Sequence, residues 1–314
     1  ALLGELEEHK TDIVYDKTVK TAEYDKTALQ LRVNPNIDPV SQILALAGQL
    51  RHVWQHRNGA MIDPLNFYPD HAVLANRVQK TDISVCMVRV GWELMLAGDK
   101  AVWAFIEKSS MADLGRSFAR EAQLDFRSLN TGMASAAVFE SWFLSDRCHD
   151  VDKSLIQLML NNYQGCLFND EQTSAKILAD LITAVGSQPF GKNYLSPYTN
   201  TITQDALFTE LRDRSNANFL WFIKFEHSFK RYEEELEQGL HSDGATHGHE
   251  HHHDRSIKNI IGDERLNNEE GKLITLPVYA RTGAATGNKD FRSTEQSADI
   301  IALDNWRDRR KQGD

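Results

Sequence analysis

From Ile43 to Gly59 the chain reads ILALAGQLRHVWQHRNG. The segment follows NPNIDP, where Asp38 is a good helix N-cap. Pro39 suits the first helical position, because its missing N–H would have no intrahelical partner there. Val40, Ile43, Leu44, Ala47, Leu50 and Trp54 then recur at helical spacing, which predicts a helix with one buried face. Gly59 is a natural stop for it.

Working outward, residues 12–33 carry β-branched and aromatic residues with partial alternation, which predicts two short strands in a small hairpin. Downstream, helical patterns run over Asp70–Ala97, Lys100–Lys108 and Ala112–Leu124, then from Thr131 through MASAAVFESWFLSDR. VDKSLIQLMLNNY and DEQTSAKILADLITAV continue in the same register. GSQPFGKNYLSPYTNT reads as a loop, and two further helices are expected at Gln204–Asp213 and Asn216–Glu237. No βαβ alternation recurs, so the expected class is α+β and mostly α. It comprises a small N-terminal β-hairpin, a helical domain over 1–240 and an extended C-terminal tail. The tail divides into a His-rich linker, 241–256, and a segment, 257–314, whose only apolar stretches are KLITLPVYA and ADIIALDNW.

The chain has 314 residues, is 41% hydrophobic and 25% charged, and carries a formal charge of −10. That acidity argues against a general nucleic-acid binder, which needs a basic surface. The longest apolar run, ISVCMVRVGWELMLAG, is interrupted by Arg89 and Glu93, so no membrane span is expected. Cys86, Cys148 and Cys166 show no CxxC spacing, which predicts neither a disulfide framework nor a thiolate zinc site. An intracellular, cytoplasmic location is the expectation. The chain opens at Ala1 without a methionine, so a cleaved targeting segment is kept open.

The chemistry turns on the same helix. A zincin helix places His at i and i+4 on one face of a Zn²⁺ ion, with a Glu after the first His as general base. In that register the sequence reads GQLRH: Gly48 has no side-chain donor, and Gln49 cannot take a proton from water near neutral pH. A shifted register, HVWQH, gives His52 and His56 the i, i+4 spacing without a glutamate between them. His71, or an acid such as Asp70, could complete its shell. The plainer reading has His52 hydrogen-bonded in the core and His56 solvated near the helix end. His247, His249, His251, His252 and His253, with His241 nearby, form an irregular tract able to bind divalent metals loosely, or simply a solvated linker. Glu93, Glu121, Asp125 and Glu140 lie in helical patterns, where acids usually face solvent. Adjacent residues of Cys148-His149-Asp150 point in different directions, which disfavours a dyad there. No phosphate loop or GxSxG elbow occurs.

The succession of an N-terminal hairpin, ILALAGQLRHVWQ, NRVQKTDISVCMVRVGWELMLAGDKAVWAFI and AAVFESWF resembles a bacterial metallopeptidase-like family of unknown function. Its members show a helix like LAHELRHAWQ, a second like RxxEADA followed by AWEL…AG…W, and a later A…AF..WF. The similarity spans Ile13–Leu160, about half of the chain. It implies a zincin-like helical domain, with Arg51, His52, Trp54 and Gln55 matching the RHxWQ run and Asp82 keeping the aspartate of EADA. It also implies losses: Gly48 replaces the first histidine, Gln49 the glutamate, and Lys80 the glutamate that would serve as third ligand. Loss of three chemical positions beside retained packing positions implies a catalytically degenerate protein that needs no cofactor. Such a protein would act as an interaction or structural subunit of a complex, its tail along a protein partner. Two alternatives stand beside it. One is a metal-dependent hydrolase, with zinc as its cofactor, at His52, His56 and His71. The other is a metal buffer working through the 247–253 tract.

Overall fold

The computed structural model describes residues 11–162 and 168–242. Three four-residue strands come first: β1 (Asp12–Tyr15), β2 (Ala22–Asp25) and β3 (Gln30–Val33), in the order β1-β3-β2. The expected hairpin is the antiparallel β2–β3 pair, and β1 joins the other edge of β3 in parallel, Ile13 opposite Leu31. β1 was hard to foresee because all four of its residues are exposed, so it has no buried alternation to read. The inner face of the sheet, Tyr24, Leu31 and Val33, packs on Leu50 and Val53 of the first helix.

That helix, α1 (Pro39–Arg57), begins as its sequence dictates: the Asp38 carboxylate accepts from the Ser41 N–H. α2 (Pro69–Leu96) is the hub of the fold and is buried around most of its circumference, from Ala72, Val73 and Val78 to Val85 and Val88. A helix wrapped on most sides shows no single amphipathic stripe, and its buried residues accordingly include Arg77, Gln79, Thr81 and Asp82 beside the apolar ones. α1 lies against α2 closely, because the space beyond Gly48 is taken by Ile83 and Met87: a Cβ there would stand 3.1 Å from Met87 Sδ.

Around this pair fold α3 (Ala101–Ile106), α4 (Ala112–Leu124), α5 (Ser128–Thr131), α6 (Met133–Phe143), α7 (Asp146–Asn162) and α8 (Glu171–Val185). The aromatic-bearing loop after α8 contains a two-residue pair, β4 (Ser187–Gln188) with β5 (Lys192–Asn193). Where one helix was expected over Gln204–Asp213, there is only the short α10 (Ala206–Thr209), preceded by α9 (Thr199–Gln204), which begins within the stretch read as a loop. They are split at Asp205, whose extended backbone leaves its carboxylate to cap Leu207. α11 (Arg214–Ser242) closes the described residues. A mostly helical fold behind a small N-terminal sheet is thus established. Among the described residues no helix is long and apolar enough to cross a membrane. The tract His247–His253 and the tail 257–314 lie outside the described residues.

Candidate metal centre

α1 presents two chemically different faces. One side carries Gln49 and His52 into a cavity of about 520 Å³, which is also lined by Tyr24 from β2, Lys80 and Ser84 from α2, and Trp142 and Arg147. Gln49, His52 and Lys80, which the family resemblance aligns with base, ligand and third ligand, therefore do converge on one space. Their chemistry is not that of a metal centre. The Gln49 Oε1 atom is buried without a hydrogen-bond partner. Lys80 is exposed by area yet set in a concave wall; that crowding, and then Lys26, lower its ammonium below the ordinary lysine value. Burial first, then Lys80, Lys26 and His56, push the His52 imidazolium down to about 4.

The donors do not fit a divalent ion. Gly48 offers no side chain, Gln49 a neutral amide and Lys80 a cation that repels a second one. Glu23, the acid on this wall, lies 3.4 Å from Arg32, and Arg147 makes a two-pronged pair with Asp113. Among the described residues no three His, Cys, Asp or Glu side chains stand close enough to hold one ion.

The structure brings His52 and His56 together and leaves His71 elsewhere. Both helical histidines flank the Tyr24 ring, and His56 Nδ1 is 2.9 Å from the Tyr24 hydroxyl. His71, in the first turn of α2, tilts against Tyr68, its Nδ1 buried without a partner. Among the helical acids, Glu140 is buried while Glu93 and Asp125 are exposed, and Glu121 lies between.

A depressed histidine has a readable consequence. Unfolded His52 titrates near 6.5 and the folded residue near 4, so the unfolded chain binds more protons below neutrality. The stability associated with neutral His52 is complete above about 6.5 and drains away as pH falls towards 4. Urea midpoints at pH 7.5 and pH 5 should therefore differ more for the natural chain than for His52→Gln. Equal differences would place the His52 ring in water.

The opposite side of α1 explains the residues of the RHxWQ run that do not touch this cavity. Arg51 Nε and Nη2 grip both oxygens of Asp82, at 2.7 and 3.0 Å, and Nη2 also donates to the carbonyls of Val185 and Ser187. Gln55 donates to Asp82 at 2.8 Å, and the guanidinium lies over the Trp54 ring at 3.9 Å. Tyr194, from the loop after α8, donates to Asp82 at 2.9 Å. Burial, followed by the Asp82 charge, raises the Tyr194 hydroxyl well above its ordinary value; although burial opposes it, the same carboxylate keeps Arg51 charged. Arg51, Trp54, Gln55 and Asp82 thus form a fastening, whereas His52 alone faces the open cavity. Tyr194 was invisible beforehand because its partners lie over a hundred residues away; the one available signal was an aromatic in a Gly/Pro-rich loop.

A family model described as "Putative metallopeptidase family" matches residues 1–196, and the chain belongs to that family. No curated protein and no solved structure matches the chain.

Proposed function

We propose that this member of the metallopeptidase family is catalytically degenerate and serves as an interaction or structural subunit of a larger assembly. The observation that carries the reading is the convergence of Gln49, His52 and Lys80 on one cavity, while apolar Ile83 and Met87 fill the space beyond Gly48. A peptidase site needs negative and neutral donors around a cation; this wall supplies a cation of its own.

The interaction half rests on α11, where Trp221, Phe225 and Phe229 form an exposed ladder one turn apart. Trp221 is 65% exposed, and large apolar surfaces of this kind mark contact sites. The chain continues from the end of this helix into the segment that we assign to a protein partner.

Zinc content and peptide hydrolysis of the dialysed full-length protein test the first half: less than about a tenth of an equivalent of zinc and no hydrolysis are expected. One tightly held zinc with activity lost in His52→Ala and His56→Ala would instead establish a hydrolase at these two histidines, and its loss in His71→Ala as well would be needed to add the third. Retention of zinc in those variants and its loss on deletion of 247–253 would establish the metal buffer. For the second half, the native chain should migrate above its own mass in extracts of its source cells. Trp221→Ser/Phe225→Ser should migrate alone.

A further inference from the structure

On the far face of α1 from His52 lies a second cavity, of about 570 Å³, between α1, α2 and the loop after α8. That volume is within the roughly 300–1,000 Å³ of ordinary small-molecule sites. Its wall is mainly apolar, built from Leu46, Leu50, Val85, Val90, Leu94 and Pro189. The charges on the wall are already matched: Arg51 with Asp82 at 2.7 Å, and Arg89 with Glu93 at 2.8 Å.

One donor is left over. Arg51 is 6% exposed, and its Nε and Nη2 atoms make all of its hydrogen bonds among the described residues. A guanidinium carries five N–H groups, so both N–H groups of Nη1 are unspent on a residue that lines the cavity. Nη1 is not among the buried atoms that lack a partner, so it stands open to the cavity, and an occupant that displaces water from this mainly apolar space must supply an acceptor in its place. An ionised ligand would lose its water and find no unmatched charge, which is costly. A neutral carbonyl oxygen meets the need without that penalty.

We propose that this cavity binds a small, uncharged, mainly apolar molecule bearing one carbonyl oxygen. Its apolar body would lie between α1 and α2, and its oxygen would accept from Arg51 Nη1. This assignment is independent of the degenerate-peptidase reading, since it uses none of Gly48, Gln49, His52 or Lys80.

Nile red, a neutral apolar dye with a carbonyl, is the probe. Titrated into the full chain it should give saturable, blue-shifted fluorescence at one site. Butyrophenone should displace it about tenfold better than butylbenzene, which lacks the oxygen, and better than 4-phenylbutyrate, which is charged. Val90→Trp and Leu46→Trp, each checked for a retained thermal transition, should remove at least about nine-tenths of the signal by filling the cavity. Trp221→Ser/Phe225→Ser should keep it, which separates the cavity from the exposed ladder of α11. Unsaturable binding, binding untouched by either tryptophan, or loss in the α11 variant would overturn the site. Displacement by 4-phenylbutyrate as effective as by the ketone would overturn the choice of a neutral ligand. If either tryptophan variant fails to fold, the other and the competition series decide.

Discussion

Replacing Asp82 by alanine is expected to cost the fold about 3–5 kcal/mol, because it leaves a buried charge without its partner. The carboxylate accepts four hydrogen bonds: two from Arg51, one from Gln55 and one from the Tyr194 hydroxyl. Once it is gone, the Arg51 cation keeps only two backbone carbonyls, at a position 6% exposed. Against a total stability of roughly 5–15 kcal/mol for a typical domain, that loss unfolds a sizeable fraction of molecules. The measurement is the urea midpoint of Asp82→Ala beside Arg51→Met/Asp82→Leu. Removing both charges should recover part of the loss, since no unpaired ion then remains. A cost below about 1 kcal/mol for the single change would sink the idea that this pair fastens the helices.

Rebuilding the metal centre should require four substitutions rather than three. Gly48→His, Gln49→Glu and Lys80→Glu restore the donors that the family pattern places there. The new histidine, however, must enter space held by Met87, whose sulfur is 3.1 Å from where its Cβ would be. We expect the triple variant to retain little zinc after dialysis. Adding Met87→Ala should bring retention to about one zinc per chain, a change of roughly tenfold or more in occupancy that isothermal titration would resolve. Equal uptake by triple and quadruple variants would show that Met87 yields freely. A folded quadruple variant that takes up no zinc would mean that the cavity never had the geometry of a metal site.

The legibility of this chain followed physical range. α1 was readable because cap, stripe and stop all lie within about twenty residues, and α2 because no proline or glycine breaks the pattern between Pro69 and Gly91. The β1 strand was not, since it is exposed and its pairing depends on a partner eighteen residues away. The three altered site positions were legible as residue types, and the resemblance gave them a common meaning. Their convergence was not, because Gln49 and Lys80 meet only through the packing of α1 on α2. Sequence reasoning also set Arg51 and Asp82 beside the chemistry, whereas they belong to the opposite side of the helix. Helical angle alone separates Arg51 from His52 by about 100°, yet that Arg51 is fastened is decided by Asp82, Tyr194 and the carbonyls at the end of α8 and in the loop after it.

The two buried arginines also bear on when the chain can fold. Arg51 reaches carbonyls 134 and 136 residues ahead, and Arg77, paired with Asp152, reaches those of Phe208 and Glu210. The family match ends at residue 196, short of both of the latter acceptors and of Phe208, which packs on Phe139 and Phe143. On the ribosome, Arg51 can meet Asp82 as soon as α2 emerges, but the carbonyl acceptors of Arg51 and Arg77 follow only after more than a hundred further residues. At roughly 5–20 residues per second, that is an interval of several seconds or more. During it α1 and α2 lack the long-range bonds that complete their arginines, and a chain ending at residue 196 would lack the Arg77 acceptors Phe208 and Glu210 altogether.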